Sequence, residues 1–99
     1  MDDIPLPLPE KPTRFMDQFR EFLRSRHLAY KTEQTYCTWV KRYIRFHEYK
    51  HPKDLGDEDI TAFLSHLVLK ENVAINTQKT ALNALVFLYK RFLKQEIGD

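Results

Sequence analysis

Residues 28–49 read LAYKTEQTYCTWVKRYIRFHEY. Tyr36, Val40, Tyr43, Ile44 and His47 recur there in steps of three and four, the spacing that gathers side chains onto one face of an α-helix. Lys41, Arg42 and Arg45 run between them, on positions an apolar core excludes. The stretch therefore predicts an amphipathic helix from about Tyr30 to Tyr49, closed before His51-Pro52 because proline disfavours helical backbone in the residue preceding it. Whether its polar face is merely wetted or holds something anionic decides what the chain does.

Outward from this helix, the rest of the chain is also helical. Phe15, Phe19, Phe22 and Leu23 form a stripe on a first helix, for which Thr13 can serve as N-cap. A third helix is expected after Gly56, with Asp57 as N-cap and Glu58 and Asp59 in the first turn, where the helix dipole favours acids. Its stripe is Ile60, Phe63, Leu64, Leu67 and Val68. A fourth is expected from about Ile75 to Gln95, burying Leu82, Leu85, Val86, Tyr89, Phe92 and Leu93, with Gly98 as its stop. No strand period competes. The expected fold is all-α, a compact four-helix domain over residues 13–97.

The first twelve residues, MDDIPLPLPEKP, hold four of the five prolines and predict an extended arm, with Ile4, Leu6 and Leu8 alternating between prolines as a docking peptide would. A plain arm is the preferred reading. This start is acidic and Pro-rich, unlike a secretory signal, and no run of about 18 apolar residues exists to span a membrane. With 42% hydrophobic and 13% aromatic residues in 99, the chain makes one domain with a core. A lone Cys37 cannot staple it and fits a reducing cytoplasm.

Net charge is +2, but it is unevenly spread. Residues 1–12 set Asp2, Asp3 and Glu10 against Lys11, a total of −2, which leaves +4 on the remainder. Acids gather at Asp57, Glu58 and Asp59, whereas Asn76 to Lys94 holds Lys79, Lys90, Arg91 and Lys94 with no acid. On the second helix Lys31, Gln34 or Thr35, Thr38, Lys41 or Arg42, and Arg45 make a stripe of donors, with Thr32 beside it and Glu33 offset to one side. Solvated helix faces usually interleave Glu with Lys at i,i+4; this one does not. The fourth helix repeats the pattern with Asn76, Thr77, Lys79, Thr80 and Asn83. Short hydrogen-bonders suit phosphates and base edges, and the cations release counterions. These thirteen residues are the candidate DNA contacts.

Residues for catalysis are sparse. His47 and His51 resemble half a zinc site, but Pro52 interrupts the helix and no further ligand is near in sequence, so no metal is expected. His27 and His66 look isolated, the two glycines cannot make a phosphate-cradling loop, and Ser25 and Ser65 lack an activating motif. A nucleophilic Cys37 has no partner base in the sequence. No cofactor is expected.

The segment FMDQFREFLRSRHLAYKTEQTYCTWVKRYIRF resembles the opening of the N-terminal core-binding, SAM-like domain of tyrosine recombinases, or phage integrases. The likeness rests on Leu28, then Thr32-x-x-x-Tyr36, then Val40, Tyr43 and Phe46. DLGDEDITAFLSHL and NTQKTALNALVFLYKRFL resemble the later helices, and the wording as a whole is most similar to integron integrases. The resemblance implies a DNA-binding, non-catalytic module, the upper jaw of a clamp whose second and fourth helices cross near the major groove. The arginines, histidines and nucleophilic tyrosine of the family belong to a separate domain absent from this chain, so Tyr36, Tyr43 and Tyr89 are not expected to be the nucleophile. DNA, duplex or folded single strand, and other recombinase protomers are the implied partners. The isolated domain is expected to be a monomer. Where the family often has serine caps, this sequence has Ala29 and Ala74, poor N-caps, so the helices are expected to start late, at Lys31 and Asn76. The competing reading is a small helical protein-interaction domain that does not bind DNA.

Overall fold

The computed structural model describes residues 14–97; the Pro-rich arm, Thr13 and Gly98 lie outside that range. The elements in chain order are α1 (Phe15–Ser25), α2 (Tyr30–Phe46), a 3₁₀ turn (Pro52–Asp54), α3 (Asp57–Leu69) and α4 (Ile75–Phe87). A π turn, Leu88–Phe92, continues α4. No strand occurs among the described residues, and none of their helices is long and apolar enough to cross a membrane. The expected all-α, four-helix architecture is what the chain adopts.

The core is aromatic and aliphatic, and α2 lies at its centre. Phe19 and Leu23 from α1, Val40 and Tyr43 from α2, Leu67 from α3 and Leu85 from α4 are wholly buried, with Phe63 almost so. A chain of edge-on rings runs through it: Phe15 and Phe19 meet Phe92 at 5.6 and 5.4 Å, and Tyr43 meets Phe63 at 5.6 Å. Inside this apolar mass the Tyr89 hydroxyl donates to the Pro52 carbonyl (2.6 Å), and the Tyr43 hydroxyl in turn donates to the Tyr89 oxygen (3.0 Å). Both phenols are thereby satisfied, and the turn before α3 is tied to the end of α4.

Several boundaries differ from expectation for identifiable reasons. α2 stops at Phe46, not Tyr49: the Tyr49 N–H turns back to the Ile44 carbonyl (2.8 Å), and His47 Nε2 donates to the Asp59 carbonyl (2.8 Å). Glu48 and Tyr49 then adopt left-handed backbone, with φ of 56° and 65°. Other helix ends use the same device without glycine: His27 after α1, Asn72 after α3 and Lys94 after the π turn all have positive φ. α2 and α4 do not start late; both begin directly after an alanine in extended backbone, Ala29 and Ala74, with no side-chain cap. The N-cap of α3 is Gly56 rather than Asp57, and the Asp59 carboxylate accepts its N–H at 2.8 Å, a one-sided capping box. α4 is rotated from its expected phase. Ala81, Ala84, Leu85, Leu88 and Tyr89 are buried while Leu82 is 38% exposed, since two small alanines let α4 approach its neighbours closely.

Candidate nucleic-acid interface

α2 presents Lys31, Gln34, Thr38, Lys41 and Arg45 to solvent, in steps of three and four along one line. The alternatives left open by the sequence separate here: Gln34 and Lys41 are exposed, Thr32, Thr35 and Arg42 half-buried. Lys31, Lys41 and Arg45 make no ion pair within 4 Å among the described residues.

The line is free of acid because the one acid in α2 points inward. Glu33 is 3% exposed. Its carboxylate accepts Nε and Nη2 of Arg24 at 2.9 and 3.1 Å, with Arg20 at 3.7 Å. Two arginines of α1 thus neutralise it in a bidentate clasp that joins α1 to α2. Sequence reasoning set Glu33 off to one side and missed this role. No local cue marked it: Asp17 and Glu21 stand three residues before Arg20 and Arg24, and Glu33 lies nine residues beyond Arg24.

On α4, Asn76, Lys79 and Asn83 are exposed, and Thr77 and Thr80 half-buried. The Thr80 hydroxyl donates to the Asn76 carbonyl one turn back (3.0 Å), so its proton is committed to the helix. Between them Gln78 reaches α3, donating to the Leu64 carbonyl at 3.2 Å. Lys79, like the α2 cations, has no ion-pair partner among the described residues. Ile75 and Leu82 share this side, 67% and 38% exposed, which gives α4 a more apolar surface than α2.

Arg42 behaves differently from the open line. Its guanidinium lies over the Trp39 ring, Cζ 4.9 Å from the centroid, and Nη2 donates to Glu71 Oε1. The other oxygen of Glu71 accepts Nε2 of His66 at 3.1 Å. Arg42 and His66 together hold the Glu71 carboxyl below the usual carboxylate range, the Arg42 hydrogen bond contributing most. His66, which the sequence left isolated, is half of this cluster. Glu71 carried no signal in the sequence, because only the packing of α3 beside α2 brings it to Arg42.

The remaining reactive groups are occupied with structure. Burial pushes the Tyr43 phenol above its ordinary range and that of Tyr89 up to about 12, so neither supplies a phenolate. Cys37 is buried and its thiol raised by desolvation, a core residue rather than a nucleophile. His51 Nδ1 accepts the Lys53 N–H at 3.1 Å while His47 serves Asp59. No group of three potential metal ligands occurs among the described residues.

Residues 15–99 match the family described as "Phage integrase, N-terminal SAM-like domain". The chain belongs to that family. The match begins at Phe15, the first residue of α1. Two curated relatives, each called "Integrase/recombinase", one from Escherichia coli and one from Pseudomonas aeruginosa, are 42% identical to it over 100 residues. Each alignment takes in 95% of this chain and 29% of the relative. The chain thus spans less than a third of the length of the relatives it matches.

Proposed function

We propose that this chain is the DNA-binding module of a site-specific tyrosine recombinase of the integron-integrase type, closing over the recombination site as one jaw of a clamp. The supporting observation is the acid-free line on α2, whose three cations have no ion-pair partner among the described residues and whose one acid, Glu33, is folded inward. Lys79 and the amide and hydroxyl groups of α4 extend the same chemistry to a second helix. Strand cleavage would fall to the part of the relatives that lies beyond these 99 residues, as would most contacts between protomers. The domain alone is accordingly expected to sediment as a monomer.

Fluorescence anisotropy with a labelled recombination-site duplex tests the reading. If about five phosphates are neutralised, log K falls with log[salt] at a slope of roughly −4.5. Lys41→Glu and Lys79→Glu, both at exposed positions, should each weaken binding while the helical circular dichroism is unchanged. Parent-like affinity in both folded variants would show the line to be only a wetted surface.

A second reading, a protein-interaction domain, is favoured by one feature. An open groove of about 380 Å³ beside α3 and α4 has Ile60, Leu64, Leu82, Val86 and Ile97 on its walls, with Asp57, Thr61 and Lys90 among them. On that reading Leu82→Asp would abolish partner capture and the lysine reversals would do nothing.

A further inference from the structure

Glu71 does something the open line does not: it neutralises a cation that DNA would otherwise meet. Arg42 and His66 come from different helices and converge on the two oxygens of one carboxylate. A phosphodiester offers its two non-bridging oxygens in a similar fork, the arrangement that arginine engages most strongly. Besides Glu71, each donor also rests on a ring. Trp39, 8% exposed and edge-on to Phe63, supports the Arg42 guanidinium; Phe46 lies against the His66 imidazole with centroids 4.9 Å apart. The donors would keep their aim with the carboxylate gone.

There is room for an exchange. The cluster sits in an open cleft of about 220 Å³, and Arg45, unpaired among the described residues, lines it as a third donor. Among the described residues, only Arg42 and His66 hold the Glu71 side chain. Glu71 follows the end of α3, with Asn72 in left-handed backbone next to it, and its side chain is 37% exposed. It can swing into water without disturbing the core.

We infer that the Glu71 carboxylate is a built-in stand-in for a DNA phosphate, occupying the anion site of Arg42 and His66 until a backbone phosphate displaces it. The inference rests on the DNA-binding reading above. Its consequence is selectivity. A phosphate arriving at random must compete with an intramolecular carboxylate, whereas DNA held in register by the rest of the surface delivers one at high local concentration. Glu71 then suppresses non-specific binding more than site binding.

The test compares the 99-residue parent, Glu71→Gln, Arg42→Gln and the double variant on a site duplex and a scrambled duplex across a salt series. Glu71→Gln should bind the scrambled duplex on the order of three- to tenfold more tightly, with a salt slope steeper by roughly 0.9, one further phosphate. The gain should vanish in the Arg42→Gln background. Independently of any variant, the Arg42 Nε–H resonance of the parent should shift when duplex is added. Affinity or slope on the scrambled duplex equal to or below the parent's in Glu71→Gln, a gain as large on the site duplex, a gain that survives without Arg42, or a static Arg42 resonance overturns the inference while leaving DNA binding intact. If the parent binds neither duplex even at low salt, the DNA-binding reading fails, and this inference with it.

Discussion

α2 carries an arginine–glutamate pair on each flank, and the two have nearly opposite characters. At its N-terminal end Glu33 is sunk against α1, accepting two parallel hydrogen bonds from Arg24 with Arg20 beside it. Toward its C-terminal end Arg42 meets Glu71 in the open, each about a third exposed. The chemical groups are the same; the surroundings are not. Removing one partner of a buried pair strands a charge away from water, while an exposed pair exchanges readily with water and salt. The first pair is sunk between α1 and α2, and the second lies where water and other anions can reach it.

The largest expected effect is at the buried pair. Glu33→Ala should lower stability by about 2–3 kcal/mol, below the range for fully buried pairs because Arg20 and Arg24 keep partial contact with water. In a domain of this size that is a fall of roughly 10–20 °C in Tm. If Glu33→Ala melts no lower than Glu71→Ala, the contrast between the flanks collapses. The neutral link between Tyr43, Tyr89 and Pro52 should fall next. Tyr89→Phe leaves a buried carbonyl and a buried hydroxyl unmatched and should destabilise by about 1–3 kcal/mol. Tyr43→Phe keeps the bond to Pro52 and should do less harm; urea unfolding of the pair measures the difference.

Ala29→Ser, by contrast, should stabilise. Ala29 already has the extended backbone of an N-cap, and a hydroxyl there can accept the N–H groups of the first turn of α2, worth about 1 kcal/mol. A much smaller rise in Tm would mean that the Glu33 clasp already fixes that turn. The smallest effect belongs to Glu71→Ala, for which no measurable change in Tm is expected. The Glu71 carboxyl should instead reveal itself by titration. Its folded pKa lies below the ordinary value, so its slight contribution is present above the ordinary carboxylate range and fades as pH falls through the folded value. Carbon-detected NMR should place its midpoint below that of a free glutamate and show it returning upward in Arg42→Gln.

Much of this molecule could be read from spacing alone. The apolar stripes of α1 and α3 and the line from Lys31 to Arg45 are periodic signals, and helix period survives into the fold because burial follows it. What escaped the sequence were pairings between distant residues. Glu33 with Arg24 and Arg42 with Glu71 join positions that no local rule connects. The phase of α4 was also misjudged: large Leu82 seemed a better core residue than Ala81 or Ala84, yet close helix approach selects small side chains. Of Lys41 and Lys79, exposure and charge were legible.

The end of α2 bears on the order of folding. The hydrogen bonds that close α2 locally, from the Glu48 and Tyr49 N–H groups to the Arg45 and Ile44 carbonyls, hold Glu48 and Tyr49 in a backbone region that non-glycine residues rarely choose. The contact that accompanies the stop, His47 on the Asp59 carbonyl, exists only once α3 has docked. In the unfolded chain α2 should therefore run on toward Tyr49 and shed its last turn when α3 arrives. A low φ-value for His47→Ala is the kinetic mark of such a late event. The terminus of this helix belongs to the assembled bundle rather than to its own segment of chain.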